Sequence, residues 1–129
     1  MGKVLVVDDE SDAREFVRAI LENEGWEVFE AADGETGLHQ AGKLKPDLIV
    51  LDVQMPKKDG FAVFAELTKT PGTEPCKVIM LTGVRKKMGI GFSSGDMGAY
   101  LDKEPDAYVE KPIDPEGFKR VVRTVMSHA

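Results

Sequence analysis

The chain has 129 residues, 42% of them hydrophobic and 31% charged, with a formal net charge of -6. That length suits one domain with a real core and leaves no room for a second; no apolar run approaches membrane-spanning length, and Met1-Gly2-Lys3 passes into a strand-like segment without a signal-peptide pattern, so a cytoplasmic location is expected. The acidic balance argues against nonspecific nucleic-acid binding and favours a cation near the acidic groups, while the single cysteine, Cys76, excludes an internal disulfide and reads as a small core or edge residue.

Lys3-Val4-Leu5-Val6-Val7 is a β-rich apolar run that ends at Asp8-Asp9-Glu10, three acidic side chains that a continued sheet would disfavour. Ser11 is placed to cap the next helix, Asp12 suits its positive end, and Phe16, Val17, Ile20 and Leu21 recur at helical spacing until Gly25. Trp26-Glu27-Val28-Phe29-Glu30 alternates as an outer strand does. Asp33-Gly34 then turns into a short helix in which Leu38, Ala41 and Leu44 face the sheet.

Asp47-Leu48-Ile49-Val50-Leu51, entered through Pro46, is uninterrupted and apolar, the pattern of a central strand covered on both faces. Asp52 sits where it ends. Taken alone this aspartate reads as a strand terminator, but the carboxyl ends of strands in an open α/β sheet are also where the reactive crevice lies. Pro56 breaks the backbone, and Asp59-Gly60 opens a helix predicted to pack Phe61, Phe64, Ala65 and Leu67 inward before Thr70-Pro71-Gly72-Thr73 closes it.

A fourth strand, Lys77-Val78-Ile79-Met80-Leu81, ends in Thr82-Gly83. From Val84 to Glu104, Gly89, Gly91, Gly95 and Gly98 interrupt any helical period, so residues 84–104 are expected to form a long loop and a short irregular helix. Ala107-Tyr108-Val109 is a brief last strand ending at Glu110-Lys111-Pro112. Asp114-Pro115-Glu116 starts a final helix with cap, N1 proline and favourable charge in order, and Phe118, Val121, Val122, Val125 and Met126 give its buried stripe.

Five strand patterns alternating with helices predict an α/β fold: a doubly wound, five-stranded parallel sheet with helices on both faces. Such a sheet gathers Asp8-Asp9, Asp52, Thr82 and Lys111 at one edge. Three crowded carboxylates repel one another, and a divalent cation with oxygen ligands offsets that repulsion. Mg²⁺ suits the set because it needs one or two carboxylates, keeps several waters and leaves positions for phosphate oxygens. Lys111 adds a mobile positive charge and Thr82 a hydroxyl.

From about Lys3 to about Met126 the chain resembles the receiver domain of two-component response regulators, the CheY-like family. The residues that carry the resemblance are Val6-Val7-Asp8-Asp9, Leu51-Asp52-Val53-Gln54-Met55-Pro56-Lys57-Lys58-Asp59-Gly60, Leu81-Thr82-Gly83 and Tyr108-Val109-Glu110-Lys111-Pro112. None is distinctive alone; their order and positions are. The resemblance implies one receiver domain over residues 1–129 with the flavodoxin-like strand order 2-1-3-4-5. Asp52 would be the phosphoryl acceptor, attacking the phosphorus of a phosphohistidine on a histidine kinase or histidine phosphotransfer protein. Asp9, Asp52 and the backbone carbonyl of Gln54 would hold Mg²⁺, with Asp8 assisting through water. Lys111 would pair with the phosphoryl group, a cis bond would precede Pro112, and Thr82 and Tyr108 would be switch residues that change contacts with an unknown downstream protein. On this reading the chain is not a turnover enzyme beyond self-phosphorylation and slow autodephosphorylation. It binds neither nucleic acid directly nor a membrane, and is a monomer or a phosphorylation-dependent dimer. With only Ser127-His128-Ala129 after the last helix, no output module is expected.

The chain departs from the family in the longer, glycine-rich stretch between Thr82 and Lys111, where Gly89 to Glu104 is expected to form a nonstandard mobile surface. Lys57-Lys58 and Arg85-Lys86-Lys87 read first as solvated loop charges and second as guides for an anionic phosphodonor. His39 and His128 read as exposed helix residues. Rival readings have their own signals. A haloacid-dehalogenase-like phosphohydrolase wants a second acid where Gln54 stands, a pseudo-receiver would not need the intact Asp9, Asp52, Thr82 and Lys111, and a flavodoxin's cofactor phosphate would be repelled by the acidic first loop.

Overall fold

The apolar runs become five parallel strands, β1 (Lys3–Val7), β2 (Glu27–Ala31), β3 (Leu48–Asp52), β4 (Lys77–Thr82) and β5 (Ala107–Glu110), in the order β2-β1-β3-β4-β5. The structure is a computed structural model that describes residues 2–55, 59–69, 76–83 and 105–127. Among the described residues four helices join or follow the strands: α1 (Ser11–Asn23), α2 (Gly34–Leu44), α3 (Gly60–Lys69) and α4 (Pro115–Ser127). The doubly wound α/β reading, strand order included, is borne out. The expected irregular segment, and with it Lys57-Lys58, Arg85-Lys86-Lys87 and His128, lies outside the described residues. Among the described residues no helix is long and apolar enough to cross a membrane.

Strand alternation divides the core in two. Val4 and Val6 of β1, Leu48 and Val50 of β3, and Ile79 and Leu81 of β4 pack with Val17 and Leu21 of α1 and Phe118, Val122 and Val125 of α4. Leu5, Val7, Ile49, Leu51, Val78 and Met80 pack on the other face with Ala41 of α2 and Val63, Phe64 and Leu67 of α3. β3 is buried along its whole length because it has a neighbour on each side and a helix layer on each face, which is why its sequence does not alternate. β2 is an edge strand of mixed burial, with Glu27 exposed, Phe29 and Glu30 half-buried and Val28 and Ala31 buried, so the alternation expected for it is only partial.

Helix ends follow their sequence signals with one correction. Asp33 Oδ1 accepts from Thr36 N (2.8 Å), Asp59 Oδ1 from Ala62 N (2.9 Å) and Asp114 Oδ2 from Gly117 N (2.8 Å). Ser11, by contrast, is already helical; Glu10 is the extended N-cap of α1, with no side-chain cap, because Asp8 Oδ1 accepts the Glu10 N–H (3.0 Å). α1 stops at Gly25, whose φ of 94° suits glycine alone among common residues.

Two apolar assignments also change. Phe16 is 44% exposed because it lies about 100° round the helix from Val17, off the stripe that Val17, Ile20 and Leu21 form. In α3, Val63 joins Phe64 and Leu67 in the core, while Phe61 and Ala65 are half-buried. Cys76 is half-buried and donates its thiol to the Pro46 carbonyl at 2.9 Å. His39 is exposed.

Candidate functional site

Continuing the strand alternation past the strand tips assembles the site. Val4 and Val6 lead to Asp8, Leu48 and Val50 to Asp52, and Ala107 and Val109 to Lys111, so all three side chains leave their chains on the α1/α4 side of the sheet. Lys111 Nζ lies 3.0 Å from Asp8 Oδ2 and 3.1 Å from Asp52 Oδ1, with Glu10 Oε1 further out at 3.9 Å. Asp8 is fully buried and Asp52 nearly so, whereas Asp9 is exposed. Ligand-capable oxygens of Asp8, Asp9 and Asp52 all lie within 4.8 Å of one another. The cleft above them, about 480 Å³, is lined by Asp9, Glu10, Asp52, Gln54, Met55, Gly83 and Lys111.

Backbone bonds hold the strand tips in register. Val53 N donates to Leu81 O (2.9 Å), Lys111 N to Thr82 O (2.8 Å) and Asp8 N to Ala31 O (3.1 Å). Gly60 N donates to Val53 O at 2.8 Å, and a Cβ on Gly60 would collide with the Asp52 carbonyl and come within 2.8 Å of Val53 Cα. A glycine there lets the start of α3 press against the backbone that carries Asp52. The Lys111-Pro112 peptide is cis.

Among the described residues the site is short of positive charge. Three carboxylates share one ammonium, and burial, then the neighbouring Asp8 charge, pushes the Asp52 carboxyl up to about 6 against the pull of Lys111. Burial acts to lower the Lys111 pKa but is outweighed by Asp52 and Asp8, so it is raised. Clustered carboxylate oxygens with an uncompensated charge are the donor set a hard divalent cation takes, and an exposed Asp9 leaves it reachable from solvent.

The structure thus brings Asp8, Asp9, Asp52 and Lys111 into one group, with Gln54 lining the same cleft. Thr82 is buried at the end of β4, two residues after Met80 and so on the opposite row, while Tyr108 is half-buried on β5 and packs with the α2/α3 core. Two neighbours of the site have no role assigned from the sequence: Met55, which lies within the Asp52 motif and lines the cleft, and Arg14, whose Nη1 donates to the Asp8 carbonyl at 2.7 Å. The i,i+4 spacing of Arg14 and Arg18 on α1 marks only two arginines on one helix face, which reach Glu30 of β2; no side-chain spacing marks the bond from Arg14 to the Asp8 carbonyl.

Comparisons with known proteins agree with this geometry. A family model described as the response regulator receiver domain matches residues 4–123. The DNA-binding dual master transcriptional regulator RpaA of Synechocystis is 36% identical over 98% of this chain, and the alkaline phosphatase synthesis transcriptional regulatory protein PhoP of Bacillus subtilis is 36% identical over 96%. The chain spans 49% and 48% of those two proteins, about half their length. The chemotaxis protein CheY4 of Vibrio cholerae superposes with a TM-score of 0.82 at 30% identity, covering 97% of this chain and 98% of that one. The same strand order, an acidic cluster closed by one lysine, and a sequence match over nearly the whole chain converge: the chain belongs to the response regulator receiver domain family.

Proposed function

We propose that this chain is the phosphoacceptor receiver of a two-component or phosphorelay system, and that Asp52 takes the phosphoryl group from a phosphohistidine on a histidine kinase or histidine phosphotransfer protein. One observation carries the reading. A nearly buried carboxylate at the tip of the central strand lies 3.1 Å from a lysine ammonium, inside a cluster of acidic oxygens within 4.8 Å of one another. That is an oxygen nucleophile with a cationic partner already beside it.

Asp9, Asp52 and the backbone carbonyl of Gln54 would hold Mg²⁺, with Asp8 acting through water; the chemistry a bound Mg²⁺ supplies is neutralisation of these carboxylates and of the phosphoryl oxygens. The chain's own residues do the rest. An Asp52 oxygen forms the new O–P bond as the donor's N–P bond breaks, the electron pair returning to the imidazole nitrogen. Lys111, freed from sharing its charge between two carboxylates, turns to the phosphoryl oxygens. Transfer of this kind depends on positioning and charge compensation more than on an internal base, and the site provides both without a histidine. The product, an acyl phosphate, gives Thr82 an anion to hydrogen-bond and lets Tyr108 move toward the space left behind, altering contacts with a downstream protein.

The same reading makes residues 1–129 one receiver domain, acting in the cytoplasm as a monomer or a phosphorylation-dependent dimer. It does not turn over a small substrate, and its acidic cleft repels nucleic-acid phosphate, so DNA contact by a longer regulator would belong to another module. Incubation with acetyl phosphate and Mg²⁺ followed by intact mass measurement tests the reading. One added phosphoryl group on the wild type and none on Asp52→Ala is expected; phosphorylation that survives Asp52→Ala would refute it.

A further inference from the structure

Four contacts hold Asp8, at its N–H, both carboxylate oxygens and its carbonyl. Its N–H donates to Ala31 O (3.1 Å), its Oδ1 accepts from Glu10 N (3.0 Å), and its Oδ2 meets Lys111 Nζ (3.0 Å). The fourth tie comes from outside the acidic cluster. Arg14 Nη1 donates to the Asp8 carbonyl at 2.7 Å while Arg14 Nε pairs with Glu30 Oε1 at 2.9 Å. Both of those side chains are half-buried, at 16% and 23% exposure, so water screens the pair less than it would a fully exposed one. Glu30 is itself fixed by Arg18, whose Nη1 is 2.6 Å from Oε2. The planar guanidinium, donating in two directions at once, spans from β2 to the peptide joining Asp8 to Asp9.

We infer that Arg14 is a positioning residue for the cation site: anchored on Glu30, it fixes the Asp8-Asp9 peptide and so sets where the exposed Asp9 carboxylate stands. The inference rests on the proposed phosphoacceptor reading, in which Asp9 is a Mg²⁺ ligand. Asp9 is the exposed member of the cluster, and the contacts described above hold Asp8; the rigidity of the preceding peptide is then what presents Asp9. A cation beside an acidic metal site would ordinarily weaken metal binding by repulsion. Here Glu30 and, through Arg18, Glu22 offset the two guanidinium charges, which reduces the electrostatic penalty on the orienting hydrogen bond.

Electrostatics and positioning predict opposite signs. Removing a positive charge near the site would tighten Mg²⁺ binding if charge were all that mattered; removing a positioning bond would loosen it. Titration of the ¹⁵N-labelled chain with MgCl₂, following the Asp9, Glu10 and Gly83 amide signals, reads the affinity directly. Arg14→Met is expected to bind Mg²⁺ about tenfold more weakly than wild type, the low end for loss of a bond that orients a metal ligand. Arg18→Met removes a charge from the same Glu30 but touches nothing in the Asp8 loop, and is expected to keep wild-type affinity even if its melting temperature falls as much. Should Arg14→Met fail to fold, Arg14→Lys serves, since it keeps the charge, which alone would leave affinity unchanged, but loses the fork that bridges Glu30 to the Asp8 carbonyl, and is also expected to weaken Mg²⁺ binding. Wild-type or tighter affinity in the folded Arg14→Met chain, or in Arg14→Lys in its place, or an equal loss in Arg18→Met, would overturn the inference. A wild-type chain that binds no Mg²⁺ would overturn the phosphoacceptor reading itself, and this inference with it.

Discussion

Replacing Asp52 by asparagine should make the metal-free protein more stable, although it removes an ion pair. The carboxyl is pushed from its ordinary 3.8 to about 6, first by burial and then by Asp8, with Lys111 only partly opposing. The folded state therefore binds the Asp52 proton more tightly than the unfolded chain, and stability falls as pH rises from 3.8 toward and through about 6. At about 1.4 kcal/mol for each tenfold change in proton affinity, ionised Asp52 costs the fold about 3 kcal/mol at neutral pH. Asparagine is nearly isosteric and uncharged, so Asp52→Asn should gain about 3 kcal/mol at about pH 7.5 and only about 1 kcal/mol at about pH 4.5, where the wild-type carboxyl is mostly protonated. Urea unfolding in EDTA at these two pH values measures both differences. Mg²⁺ at about ten times its dissociation constant should return about 1.4 kcal/mol to the wild type and nothing comparable to the variant. An asparagine variant less stable than wild type at neutral pH, or a gap that widens on acidification, would refute the reasoning.

Lys111→Met leaves the fully buried Asp8 carboxylate without its ammonium, and should cost about 3 kcal/mol in urea unfolding at neutral pH, the scale for breaking one side of a buried pair. Because the Lys111 pKa is raised from 10.5, the wild type should lose this contribution only as pH climbs beyond 10.5, which a Lys111→Met baseline would show by its absence. Gly60→Ala places a methyl against the Asp52 carbonyl and should destabilise by about 2 kcal/mol, with shifted Asp52 and Val53 amide signals confirming where the strain falls. Burial, with Asp47 adding to it, raises the Cys76 thiol pKa, so alkylation by iodoacetamide at neutral pH should be far slower in the native chain than in urea.

The sheet and the site's chemistry were legible because alternation and strand ends are local signals. The uninterrupted β3 run announced a central strand, and the charged residues that ended β1, β3 and β5 named the cluster before any distance was known. What sequence could not give was the direction of residues on helices near the ends of a stripe. Phe16 looks apolar enough for the core yet points out, and in α3 Val63 is buried while the larger Phe61 is only half-buried, because angle round the helix and not size decides. Ser11 failed as a cap because a long-range commitment intervened: Asp8, which holds Lys111 from the far end of the chain, also takes the loop N–H and so sets where α1 begins. Arg14 was illegible for the same reason, as its partners lie on a different strand and on a backbone carbonyl that no side-chain pattern records.

The start of α1 and the role of Arg14 both depend on bonds to Asp8, and those bonds also bear on how the site persists. A pocket with three carboxylates and one lysine opposes folding, and its members sit at strand tips, where the backbone has fewer ladder bonds to spare. The two apolar layers beneath have to supply the compensating stability, and β1, β3 and β4 are buried to their last residues, with carboxylates only at the tips of β1 and β3. The contacts that sequence did not reveal, Arg14 to the Asp8 carbonyl and Gly60 to the Val53 carbonyl, are those that transmit that rigidity from the layers into the pocket. On the proposed function, a cation and a phosphoryl group would offset this crowded charge, and the stability gained on binding would be what is available to move neighbours such as Thr82 and Tyr108.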